Sequence, residues 1–149
     1  MKLTGALALT LFLATATQAA TPVLSATGAW SRPAMTGTNG VGYVTITNSG
    51  KAADALIKVE SPLAAKVEMH SSSMAGGMMS MKMEARVAVP AGGKTAFAPG
   101  GYHLMLIGLT KTTRAGDQIP ATLTFASGAR VKTAFVVGMG APAMDGMRH

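Results

Sequence analysis

The chain has no cysteine in 149 residues. Disulfide staples, thiolate nucleophiles, thiolate zinc sites and a blue-copper centre are therefore all excluded. Aromatic residues make up only 5% and charged residues 13% of the chain. The formal net charge is +7, but the basic residues stand singly and few aromatics lie between them, so a nucleic-acid surface is not expected. A mildly basic, solvated surface suits anionic partners or an acidic docking face. No amphipathic pattern of period 3.6 is long enough for a substantial helix, and there is no internal repeat.

The longest apolar run lies at the N-terminus. Lys2 is followed by "LTGALALTLFLA" and the small residues "TATQAA", the order of a secretory leader with cleavage after Ala19 or Ala20. The apolar run is shorter than the ~20 residues of a membrane span and no stop-transfer flank follows. The expected organisation is a leader over 1–20, one β domain over 21–137 and a flexible tail over 138–149. The mature protein is expected to be soluble and periplasmic, without stable membrane insertion, and a monomer. It must fold by packing alone.

Residues 23–137 alternate with period two in short runs broken by Gly, Pro, Ser and Asn, the pattern of an all-β sandwich or Greek-key barrel of about seven strands. Strands are expected at 41–50, 55–62, 65–70 and 81–90, with Met81, Met83, Ala85, Val87 and Val89 on one face of the last. "GYHLMLIGL" (101–109) is apolar on both faces, as in a strand covered on both sides. Residues 119–137 read as a hairpin around Ser127 and Gly128. Trp30 is expected as a core anchor, Met69 as a core residue and Met35 as an exposed loop residue. The tail, "GMGAPAMDGMRH", lacks the apolar density to pack.

What the chain does have is sulfur of another kind. There are 12 methionines, five of them in "HSSSMAGGMMSMKMEA" (70–85), where glycine and serine replace the bulk of a packed element. Methionine ordinarily fills gaps in a core. Here the positions of the histidines argue otherwise. In a strand, residues i and i+2 share a face, which places His103 beside Met105. If the strands flanking the Gly/Ser loop 71–80 pair as a hairpin, His70 and Met81 return to nearly the same height. Two imidazoles and two thioethers then converge. Neutral, soft donors of this kind suit Cu(I) rather than zinc or a hard cation.

The spacing His70, ten residues, Met81, 21 residues, His103, one residue, Met105 resembles the signature of the PCu(A)C family of periplasmic copper chaperones. The stretches "GAWSRPAMTG", "GYVTITNSG", "VEMH", "MKM", "PAGGK" and "APGGYHLMLIGL" are similar to that family's blocks in the same order, over most of residues 23–137. The resemblance implies a cupredoxin-like Greek-key β-barrel. It also implies a Cu(I) site made by His70, Met81, His103 and Met105, and delivery of copper for cytochrome c oxidase assembly, either to a copper-accepting oxidase subunit or through a Sco-type assembly protein. Met74, Met78 and Met79 could bind copper transiently or substitute for Met81. In the tail, Met139, Met144, Met147 and His149 resemble the Met- and His-rich extensions of some relatives. Met144, Met147 and His149 are candidates for an auxiliary site, where the imidazole could also take Cu(II).

No motif sets a nucleophile beside a base, so an enzyme is not expected. The rival readings are a β-sandwich module for adhesion or ligand binding without metal, which leaves the methionines unexplained, and a protein of copper storage or tolerance.

Overall fold

The computed structural model describes residues 23–142. The leader read at 1–20, the first two residues of the β domain and the end of the tail, with Met144, Met147 and His149, lie outside the described residues. Among the described residues there are ten strands and no helix. They are β1 (Leu24–Ser31), β2 (Gly40–Asn48), β3 (Asp54–Glu60), β4 (Ala64–Ala75), β5 (Met78–Met83), β6 (Val87–Val89), β7 (Lys94–Phe97), β8 (Tyr102–Leu109), β9 (Gln118–Phe125) and β10 (Arg130–Val137).

Their hydrogen-bonded order is β5-β4-β8-β7-β2-β1-β10-β9-β3-β6, with β8 also pairing directly with β2. The sheet rolls on itself, so that β3 comes alongside β4 and β6 approaches β2 and β7. The all-β architecture is the one expected from the alternation and the cupredoxin-like fold the one the resemblance implies, with ten strands in place of the seven or so expected. Its core is built from Val44, Ile46, Leu56, Leu104, Leu106, Ile119, Leu123, Phe125 and Phe135, all fully buried. Gly42 packs closely on the core: a Cβ there would lie 3.1 Å from the Phe135 ring and 3.2 Å from Leu106, so any larger residue would push those side chains by a few tenths of an ångström. Trp30 is buried as expected and packs on Tyr43 at 4.8 Å between ring centroids. A register shift in β1 between Thr27 and Trp30 brings that pair into line.

Two expectations from the sequence are corrected. The segment 81–90 is not one strand. Met81 and Met83 close β5, which pairs only with β4, whereas Val87 and Val89 belong to β6, which pairs with β3 across the barrel. The valines are buried and the methionines exposed, so they do not share a face of one element. Residues 71–80 are not an open loop either. β4 continues to Ala75, Gly76 and Gly77 make a two-residue turn, and β5 returns from Met78. Both glycines have positive φ, +59° and +77°, as a tight hairpin turn with the twist of its strands requires. The 119–137 hairpin is present as read, with β9 and β10 paired from Gln118↔Val136 to Thr124↔Arg130.

One side chain ties the β9–β10 turn to the barrel. Asp54, opening β3, accepts hydrogen bonds from the Ala55 amide at 2.8 Å and the Ser127 amide at 3.1 Å, and a further one from the Ser127 hydroxyl. Partial burial alone would raise its pKa, but the hydrogen bonds from Ser127 and Ala55 hold the carboxyl below its ordinary value. Because this group gives up its proton more readily when folded, its stabilisation is complete above about pH 5 and fades as pH falls through the lowered folded value. Asp54→Ala should cost about 1 kcal/mol at neutral pH in urea denaturation. The gap between variant and wild type should close in acid.

Candidate metal centre

The site follows from the pleat of three neighbouring strands. In β4 Met69 pairs with Leu104 of β8, and both point into the core. Their neighbours His70 and His103, themselves a register pair, must then point to the other face. Met105 lies on that face two residues beyond His103, opposite Glu68. On the other side of β4, Met83 pairs with His70 and Met81 with Ser72. His70 and Met81 therefore share a face, as the hairpin argument requires. They are displaced by one pair rather than level, and the residue level with His70 is Met83.

The displacement is bridged by small residues. Next to Met81 in its row stands Ser72, and the Ser72 amide donates to the Gly101 carbonyl at 3.1 Å. Serine and glycine leave a trough between Met81 and the histidine two strands away. Met81, Ser72, His103 and Met105 all line one cavity of about 390 Å³, with Met79, Tyr43 and Arg32 among its other walls. His70 stands beside it, its ring centroid 5.7 Å from that of His103 with the planes 34° apart.

The two imidazoles are held differently. His103 is only 5% exposed, and its Nδ1–H donates to the Gly101 carbonyl at 3.2 Å. In the neutral ring that leaves Nε2 as a bare lone pair. It is buried and has no hydrogen-bond partner. Buried polar atoms are nearly always paired, so an orphan of this kind is what a metal ligand looks like before its ion arrives. His70 is half-buried, and its Nε2 donates to Glu68 Oε2 at 2.9 Å, leaving Nδ1 as the lone pair. The Lys66 ammonium, 2.7 Å from Glu68 Oε1, and then the His70 hydrogen bond hold the Glu68 carboxyl below its ordinary value, which keeps it an acceptor.

The methionines are free by comparison. Met81 is 61% and Met83 63% exposed. For Met83 this corrects the ordinary-packing reading, while Met69 is in the core and Met35 exposed as read. Among the described residues no three His, Asp or Glu gather in one place, so the converging donors are imidazole and thioether rather than carboxylate. Glu68 and Met83 were not singled out as site residues, and Met79 was named only as a transient or substitute ligand. The first was legible in principle, because it stands two residues before His70 and so shares its face.

Gly76 and Gly77 hold the turn that aims this arm. No atom lies within 4 Å of a Cβ built on either, so alanine there would strain only the backbone, by about 1–2 kcal/mol per residue. In Gly76→Ala/Gly77→Ala, amide exchange at Ser73 and Ser80 should quicken by about tenfold or more, while Leu104 and Leu106 stay protected.

Residues 24–137 match the family described as "Putative lipoprotein LpqE-like". A protein of Leifsonia xyli subsp. xyli (strain CTCB07), described as "Putative lipoprotein Lxx21020", is 30% identical over 101 residues. The aligned stretch is 67% of this chain and 60% of that relative, so the chain spans less than two thirds of the relative's length. Among solved structures, the fold is similar to the copper-bound PCuAC domain from PmoF2, with a TM-score of 0.66 and 26% identity over 83% of this chain and 97% of that one. The apo PCuAC domain from PmoF1 gives 0.67 and 25% over 81% and 96%. The solution structure of CuI-DR1885 from Deinococcus radiodurans gives 0.62 and 28% over 79% of each chain.

Proposed function

From the premise that this chain belongs to the LpqE-like family and has the fold of PCuAC domains, we propose that it is an exported copper chaperone carrying Cu(I) on His70, Met81, His103 and Met105. The observation that carries the reading is the orphaned Nε2 of buried His103, facing a cavity that Met81 and Met105 also line. Copper is the cargo here, not a resident cofactor. The copper-bound PmoF2 domain and CuI-DR1885 support the choice of metal, and the soft, uncharged donor set supports the monovalent state.

The same geometry supports transfer. An ion fixed to a rigid imidazole but completed by exposed thioethers can exchange those ligands one at a time for an acceptor's, without release into water. Delivery for cytochrome c oxidase assembly, through an oxidase subunit or a Sco-type protein, is the acceptor reading that the family resemblance supports. The leader at 1–20 and the lipoprotein description of the family support export. A soluble periplasmic form is favoured because these 149 residues offer no cysteine sulfur for a lipid. Among the described residues no helix is long and apolar enough to cross a membrane. Met144, Met147 and His149 remain an auxiliary site by proposal, with Cu(II) as its second cargo.

Anaerobic Cu(I) titration against a chromophoric chelator tests the site. The wild type should hold one tight equivalent, lost in His103→Ala and Met81→Leu and kept on truncation after Val137. Loss with the tail alone would move the site out of the barrel. Retained oxidase activity at limiting copper after gene deletion would favour storage or tolerance over delivery.

A further inference from the structure

The β4–β5 hairpin runs past the barrel. Beyond Met69 there is no core for it to cover, yet its two faces remain chemically distinct. One face carries Ser71, Ser73, Ser80 and Lys82, with Ala75 and Met78 beside the turn; the Ser73 and Ser80 hydroxyls are hydrogen-bonded at 2.9 Å and Ser71 donates to Glu84 at 2.8 Å. The other carries Met74, Met79, Met81 and Met83. All four are exposed, and none belongs to the buried cluster. Gap filling cannot account for methionines with no gap to fill.

Their placement is specific. Met74 and Met79 are a register pair at the tip, and Met81 lies two residues from Met79 on the same strand and face. Cross-strand partners bring their Cβ atoms within about 5 Å, and i, i+2 neighbours lie about 6–7 Å apart. Three unbranched side chains at those separations can turn their sulfurs to one point. Met79 and Met81 also open into the cavity that holds His103. The tip and the histidine site are thus continuous, with Met81 belonging to both.

We infer that Met74, Met79 and Met81 form a second, outer binding site for a soft monovalent cation, and that it feeds the histidine site through Met81. Three thioethers without imidazole hold Cu(I) more weakly than the inner set and in a lower coordination number. The ion moves inward by exchanging the thioethers of Met74 and Met79 for His103 Nε2 and Met105 while Met81 stays bound. No redox step or proton transfer is involved. This inference rests on the inner site being a Cu(I) site, and the experiment separates the two.

The full mature chain, labelled at the methionine methyl carbons, is titrated anaerobically with Cu(I) supplied as its acetonitrile complex and followed by NMR. The first equivalent should shift the Met81 and Met105 methyls. A second, held more weakly because Met81 is shared with the inner ion, should shift Met74 and Met79 and move Met81 again. In Met74→Leu/Met79→Leu, which keeps the bulk and removes two sulfurs, the first equivalent should remain and the second be lost at the arm. Met74 and Met79 methyls that stay unmoved through two equivalents, while Met81 and Met105 respond, would overturn the outer site and leave the inner one standing. A second equivalent moving only Met139, Met144 and Met147 would overturn it equally. If neither Met81 nor Met105 responds, the inner site fails as well.

Discussion

The pleat of β8 is the constraint on which the rest depends. Leu104 and Leu106 are fully buried, and a strand that commits those two residues to the core has no freedom over the residues between and before them. His103 and Met105 are turned to the opposite face by the same backbone that buries the leucines. β4 repeats the arrangement one strand over, with Met69 inward and His70 outward. Core formation and ligand placement are therefore one event. A slip of one residue in β8 would turn the leucines out of the core and His103 and Met105 into it, and a slip in β4 would do the same to Met69 and His70.

On that base the site combines unlike halves. The histidines are oriented before any ion arrives, one by the Gly101 carbonyl and the other by Glu68. The Met81 thioether is exposed and Met105 half-buried, so the sulfurs are less tightly held than the rings. Pre-set imidazoles limit the ordering that binding requires. Less tightly held sulfurs keep the barrier to departure low. The proposed carrier role would use both, since an ion caged by four rigid ligands would be hard to hand on.

How much of this could be read beforehand follows from what periodicity measures. The rule that i and i+2 share a face placed His103 with Met105 without any structure, and the Gly/Ser interruption between alternating runs pointed to a return of the chain. Periodicity does not say which strand a run pairs with. The run from Met81 to Val89 alternates throughout, but its first part lies against β4 and its last against β3, on different sides of the barrel. Nor does it say where the core ends. Past Met69, alternation no longer separates inside from outside, so a twelve-residue strand looked like a six-residue strand and a loop. Register lies equally out of reach, which is why Met83, rather than Met81, stands level with His70. β1 and β7, short or interrupted by a register shift, carry too weak an alternation to be separated from their surroundings.

The arm that outruns the core has a consequence for how such a protein can change. Each further cross-strand pair inserted between Ser72 and Met81 would lengthen the hairpin by about 3.3 Å and add two positions to one face, so that two pairs extend both faces. None of those positions would touch the buried cluster, so the cost to folding would be small. On the inferred outer site, metal capacity would be a variable of arm length, set independently of the barrel. Selection for more or less sulfur can proceed by slippage in a serine- and glycine-rich stretch while the histidines and their leucine anchors stay where they are.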